Sequence, residues 1–276
     1  MKSNDTVSLG DRVKSWESAP TGRNLQDHRT IMVRLDGRAF SSFTVGLIEP
    51  FDPGFRALMV VTARAVSNET QALLTYTQSD EITLALREND PEGSHAYFKG
   101  RVAKILSCLA SRATAVFNRH MPTYLPAKAT IADKDLPTFA CRVWTVPTRE
   151  DACDVFLWRE MDARTNALEM VAQTYFSQRE LEGKSNFAMK EMLSSRGVDF
   201  QKFREEYRRG TYLQRRTVTR AFTAEDLAAL PPKHNAHKDP LLEVSRTELV
   251  VVDMPPFSTL SSPGEVVFDG CDPLGT

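Results

Sequence analysis

Apolar residues recur at two different periods along this chain, and the switches between them lay out a fold. Residues Thr30 to Leu35 run T-I-M-V-R-L, β-branched and apolar, and break at Asp36-Gly37, which predicts a strand ending in a turn. After Pro50 and Pro53 the apolar side chains return at three and four spacing (Phe55, Leu58, Met59, Ala63, Val66), the pattern of an amphipathic helix. Two β-rich runs, Ala72 to Thr77 and Ile82 to Leu86, flank the polar turn Gln78-Ser79-Asp80-Glu81 and predict a hairpin with an acidic tip. Gly100 to Arg119 is helical by spacing, and Phe139 to Val146 alternates like a strand. The order β-α-β-β-α-β predicts an α+β fold with two helices on one face of an antiparallel, ferredoxin-type sheet.

A short helix is expected around Asp11 to Glu17. A long one is expected from about Arg149 to Ser177, with shorter helices near Phe187 to Ser195 and Asp199 to Tyr207. From about Arg216 onward prolines separate short apolar runs. The expected division is a main unit over residues 1–216, palm plus helices, and a β-rich extension over 217–276.

Composition narrows the class. The 276 residues are 41% hydrophobic and 26% charged, enough for a real core and unlike a disordered chain. No run approaches the roughly 20 apolar residues of a membrane helix, so the expectation is a cytoplasmic protein without a membrane partner. With 35 basic and 36 acidic residues, bulk charge gives no reason to expect nucleic acid, and only a local patch can supply one. The four cysteines are scattered and form no C-x-x-C pair, which reads as reduced thiols.

In the predicted fold Asp36 and Asp80 stand at the same edge of the sheet. Two carboxylates and a backbone carbonyl are a donor set suited to Mg²⁺, with positions left for water and phosphate oxygens. The amides of Gly37, Arg38, Ala39 and Phe40 can form an anion-binding nest, and Arg38 adds fixed charge. The same spacing is also that of an ordinary turn and hairpin. Between Gln201 and Arg220 seven basic residues stand against two acidic ones, interleaved with Tyr207 and Tyr212, as phosphate-backbone contact requires. The plainer alternative is a basic face paired with acidic surface in the same chain.

The string R-L-D-G-R-A-F at Arg34 to Phe40, with Phe43-Thr44, and Q-S-D-E-I at Gln78 to Ile82 resemble the two metal-binding motifs of the tRNA(His) guanylyltransferase family. L-G-D-R-V-K at Leu9 to Lys14 resembles its N-terminal motif, and the helix with Lys104, Ser107 and Ser111 resembles its basic helix. W-R-x-x-D-A-x-x-N at Trp158 to Asn166 and L-x-G-K-S at Leu181 to Ser185 are similar to its bacterial branch, and Y-R-R-G-T at Tyr207 to Thr211 is similar to its Arg/Lys-Gly-Thr motif.

The resemblance implies a palm-like catalytic domain that adds guanylate or templated nucleotides to the 5′ end of tRNA in the 3′ to 5′ direction. Asp36, the carbonyl of Gly37 and Asp80 would hold two Mg²⁺ ions. ATP and GTP would be substrates, with Ser79 and Lys104 as further nucleotide contacts. Arg159, Asn166, Arg208, Arg209, Arg215 and Arg216 would meet tRNA, and a homodimer or homotetramer is expected. Two departures stand out. Arg164 occupies the place of the eukaryotic branch's histidine, which points away from strict tRNA(His) recognition, and Ala140 replaces a common acidic residue. The alternative class is a nucleotide-binding or cyclase-like signalling module, since the same sheet serves both.

Overall fold

The computed structural model describes residues 22–88, 97–239 and 241–275. The helix expected around Asp11 to Glu17 and the Leu9 to Lys14 motif lie outside the described residues.

The order is β1 (Thr30–Arg38), α1 (Phe40–Phe43), α2 (Pro53–Thr70), β2 (Leu74–Gln78), β3 (Glu81–Leu86), α3 (Val102–Tyr124), β4 (Thr138–Val146) and α4 (Arg149–Tyr175). Then come α5 (Gln178–Leu181), α6 (Asn186–Ser195), α7 (Glu205–Arg208), β5 (Thr211–Ala221), α8 (Ala224–Ala229) and β6 (Glu243–Val252). The sheet runs β4-β1-β3-β2-β5-β6 with every neighbour antiparallel. Its first four strands are the ferredoxin-type order, as expected.

Alternation along β1 builds two layers. Ile31, Val33 and Leu35 face α2 and α3, where Leu58, Phe117 and Leu109 complete a core around Phe40. Met32 faces the other way and meets Phe156 of α4, Tyr212 of β5 and Phe257 of the C-terminal segment. The expected pair of helices therefore covers one face, and the long α4 with the chain's end covers the other. Both long helices that flank the site start on local chemistry: Asp52 accepts from Phe55 N at 2.8 Å with Pro53 following, and Thr148 and Asp151 form a reciprocal capping box.

The boundary expected at 216/217 falls inside β5. Arg216 and Thr217 pair with Glu248 and Thr247 in one continuous ladder. Behind it, Gln214 and Arg216 hold the chain's end through the carbonyls of Val266 and Cys271. The composition shift coincides with the point beyond which β5 pairs with β6 alone as a two-stranded ribbon.

Candidate active site

Asp36 is the last-but-two residue of β1 and pairs across the ladder with Glu81, the first residue of β3. The two-residue turn Ser79-Asp80 closes the β2–β3 hairpin, with Ser79 in the left-handed region at φ 51°. Gly37 N donates to Asp80 O at 3.1 Å, which locks the strand end to the hairpin tip. A Cβ at Gly37 would stand 2.7 Å from Asp80 Oδ2 and 2.4 Å from the Phe40 ring, so only glycine lets the two approach this closely.

The two carboxylates feel one another. Burial, with the Asp36 and Glu81 charges added, pushes the Asp80 carboxyl above its ordinary range against the opposing hydrogen bonds. Its Oδ1 accepts from Ser79 Oγ at 3.2 Å, and among the described residues no cation pairs with it. Asp36 receives Arg34 Nη2 at 2.8 Å, and the same guanidinium bonds Glu81. Arg159 of α4 reaches Glu81 Oε2 at 3.1 Å and Asp162 at 3.4 Å. An under-neutralised, half-buried carboxyl beside a second one, with the Gly37 carbonyl at the same strand end, is a hard oxygen donor set that fits a divalent cation.

A cleft of about 620 Å³ opens beside Ser79. It is lined by Ser41, Thr44, Phe55 and Gln78 near the site, and its far wall includes Gln173 and Tyr207. Tyr207 stacks on Phe51 with ring centroids 5.0 Å apart, and Arg56 is 6.0 Å from the Tyr207 ring while donating to Thr211 Oγ1 at 3.1 Å. The volume lies in the range of small-molecule sites.

The remaining expected residues divide. Arg38 and Ala39 are exposed beside Asp36, and Ala39 takes φ 60° to start α1. The Phe40 side chain is a core anchor, 5.2 Å from both Phe117 and Phe139, so only its backbone faces the site. Gly37's amide is already engaged by Asp80 and cannot serve the expected nest. Lys104 does not reach the site within one chain. α3 begins where Arg101 bridges Asn24, ahead of β1, and runs toward the site end, where Asn118 donates to Pro137 O at 2.8 Å and Thr138 pairs with Arg38. The six residues of β1 from Ile31 to Asp36 alone span about 17 Å.

The basic run is corrected more sharply. Arg208 is 8% exposed and bonds Phe203 O at 2.7 Å and Gln201 Oε1 at 2.8 Å. Arg209 is 5% exposed, 3.5 Å from the buried Glu160, and donates to Met254 O at 2.9 Å. Arg216 is held by Asp272, Gln214 and Cys271, and Arg220 by Asp226 and Glu248. Arg215 donates to Asn68 at 2.7 Å. Arg209, Arg216 and Arg220 therefore tie the later part of the chain to the sheet, as internal pairing predicts. Arg159 is likewise a clamp on Glu81, while Asn166 is exposed.

Sequence reasoning missed Arg34 and Glu81 as members of the site. The signal was present, because Arg34 and Asp36 are two apart on one strand and share a face. Cys141, opposite Leu35 on β4, is pushed up to about 12 by burial and stays a thiol, in keeping with four free cysteines.

Residues 10–147, half of the chain, match the family model described as tRNAHis guanylyltransferase. The chain belongs to the tRNA(His) guanylyltransferase family. It is 31% identical over 141 residues to the tRNA(His) guanylyltransferase of Neurospora crassa, covering 50% of this chain and 46% of that protein. It spans less than half the length of two of the curated relatives it matches. A solved bacterial tRNA(His) guanylyltransferase-like protein in complex with ATP superposes with a TM-score of 0.73 at 25% identity, covering 95% of this chain and all of that one. A structure of that kind with GTP gives 0.67 at 25% identity, covering 91% and 94%. The family's palm-like sheet is the sheet described above, and the bacterial-type motifs fit these likenesses.

Proposed function

We propose that this chain is a Mg²⁺-dependent nucleotidyltransferase that extends the 5′ end of tRNA in the 3′ to 5′ direction, with ATP and GTP as substrates. The observation that carries the reading is the juxtaposition of Asp36 and Asp80, locked by the Gly37–Asp80 backbone bond and left without a full cationic partner. Asp36, the Gly37 carbonyl and Asp80 would hold the metal, which when bound supplies positive charge to the phosphoryl oxygens.

In the first step a 5′-phosphate oxygen attacks the α-phosphorus of ATP and pyrophosphate leaves. In the second, the 3′-hydroxyl of GTP attacks the activated 5′-phosphorus and AMP leaves. Both steps gather negative charge on phosphoryl oxygens, so the protein's part is positioning and charge. Arg34 and Arg159 hold Glu81 and so fix the hairpin on which Asp80 stands. Arg38 is an exposed cation at the mouth, and the cleft beside Ser79 has room for a nucleoside. Arg164 in place of the eukaryotic histidine favours repair of 5′-truncated tRNA over strict tRNA(His) selection. Lys104 would act at a site in a second copy of the chain, consistent with a dimer or tetramer.

The test is 5′ labelling. Full-length protein, 5′-monophosphorylated tRNA, ATP, labelled GTP and Mg²⁺ should give labelled 5′-extended product. No product across several full-length and 5′-truncated tRNAs would overturn the reading, and cyclic nucleotide formed without RNA would replace it with a cyclase.

A further inference from the structure

The ladder between β1 and β4 is a mirror with one member missing. Arg34 pairs with Arg142 and Asp36 with Ala140, and strand alternation puts all four side chains on the sheet face turned toward α4. On β1 the two-residue step from Arg34 to Asp36 carries an ion pair of 2.8 Å. On β4 the matching step runs from Arg142 to Ala140, so that arginine has no acid beside it. Arg142 is exposed, and no acid among the described residues pairs with it. The same holds for Arg38, which follows Asp36 on this face and stands opposite Thr138.

Folding stability does not account for Arg142. Like charges directly opposite across an antiparallel pair repel, and Arg34 already gives its guanidinium to Asp36 and Glu81. Position does account for it. Arg142 is diagonal to Asp36 in the ladder, about 7 to 8 Å away, within the reach of a long side chain. Ala140 is exposed and puts only a methyl group opposite Asp36. The sheet order β4-β1-β3-β2 then sets two approaches to the Asp36–Asp80 pair. The cleft beside Gln78 and Ser79 opens on the β2 side, and Arg142 with Arg38 lies on the β4 side. Because β4 is an edge strand, that second side is open to the end of a macromolecule.

We propose that Arg142, helped by Arg38, holds the terminal 5′-phosphate of the RNA beside Asp36 while a nucleotide occupies the cleft. This deepens the reading given above and rests on it. The planar fork of a guanidinium matches two oxygens of a phosphate monoester. A seat on the far side of the carboxylates from the cleft brings the two reacting phosphates together from different directions. In the first step the seated phosphate supplies the oxygen that attacks the α-phosphorus of ATP, and pyrophosphate leaves.

The experiment compares a tRNA transcript bearing a 5′-monophosphate with the same transcript bearing a 5′-hydroxyl, in equilibrium binding to the full-length protein without ATP or GTP. Wild type should favour the phosphate by about 10-fold or more, the range of a charge-assisted contact. Arg142→Gln should reduce the preference to within about twofold, and Arg142→Lys, which keeps the charge without the fork, should retain part of it. Ala140→Asp gives β4 the acid that β1 has and should abolish the preference as fully as Arg142→Gln, while Ala140→Asn should keep it. ATP affinity should hold in all four variants, and Arg142→Gln should melt no lower than wild type. A wild type without the preference, or an Arg142→Gln variant that keeps it, overturns the seat. In the second case, lost nucleotide affinity would assign Arg142 to a nucleotide's phosphates, and a lower melting temperature would assign it to the fold. Product formation by the 5′-labelling assay is read separately: labelled product with the preference unmoved by Arg142→Gln removes the seat alone, and a preference lost in Arg142→Gln without product from wild type removes the activity alone.

Discussion

Arg159 Nη1 lies 3.1 Å from Glu81 Oε2, so the long helix α4 grips the hairpin at the residue next to Asp80. Arg34 completes the clamp from β1 by bonding both Glu81 and Asp36. The long helix thus sets where the hairpin tip stands relative to the strand end. Arg159→Ala should lower 5′ addition by about 10- to 100-fold, since small misplacements of reacting groups cost that much, and should raise the Mg²⁺ concentration needed for half-maximal rate. Arg159→Lys should recover part of the loss. The slope of tRNA affinity against salt should stay as in wild type; a drop of about one unit would return Arg159 to direct phosphate contact.

Gly37 tests the close approach itself. An added Cβ would meet Asp80 Oδ2 at 2.7 Å and the Phe40 ring at 2.4 Å, and Phe40 is fixed by its aromatic neighbours. The carboxylate is the part free to move. Gly37→Ala should therefore keep the folded spectrum and lose about 100-fold in activity. Near wild-type rates in a folded variant would show that the approach has no bearing on chemistry.

These two cases show what sequence could and could not give. The strand-turn and hairpin signals put Asp36 and Asp80 at one edge because period and turn chemistry are local properties. Arg208 and Arg209 look, in sequence, like any basic patch. Gln201 reaches Arg208 from the turn seven residues earlier, but Glu160 and Met254 are brought to Arg209 by the packing of α4 and the C-terminal segment, which no local pattern encodes. The place of Lys104 within one chain was illegible for a related reason: helical spacing says which face a residue takes, while the crossover decides which end of the sheet it reaches.

Asp80 carries a pH and metal prediction. Its carboxyl is raised, by burial first and then by neighbouring charges. Such a group binds its proton more readily folded than unfolded, so the burden on stability is absent at pH below the ordinary carboxylate range and sets in as pH rises through its folded value. In metal-free buffer at neutral pH, Asp80→Asn should melt higher than wild type, and the gain should vanish in acid. Mg²⁺ should raise the melting temperature of wild type and leave Asp80→Asn unmoved, while activity falls by at least about 100-fold. A lower melting temperature for the variant in metal-free neutral buffer would contradict the electrostatic account.

The last prediction separates anchoring from RNA contact. Glu160 is 3% exposed on α4, where its two oxygens accept from Tyr212 Oη at 3.0 Å and Phe257 N at 3.1 Å, with Arg209 at 3.5 Å. Tyr76 Oη donates to the Arg209 carbonyl at 2.9 Å, and the next residue, at φ +82° and with only 2.6 Å between a would-be Cβ and the Tyr76 ring, must be Gly210. The group therefore joins α4, β2, β5 and the C-terminal segment at one buried point. Glu160→Ala and Arg209→Ala should each cost about 3–5 kcal/mol in urea unfolding, the range for leaving a buried charge without its partner. At temperatures where the variants stay folded, their tRNA salt slopes should equal that of wild type. If Arg209→Ala instead flattened the slope by about one unit at unchanged stability, the arginine would have to leave this pocket to meet RNA, and the anchoring role would be wrong.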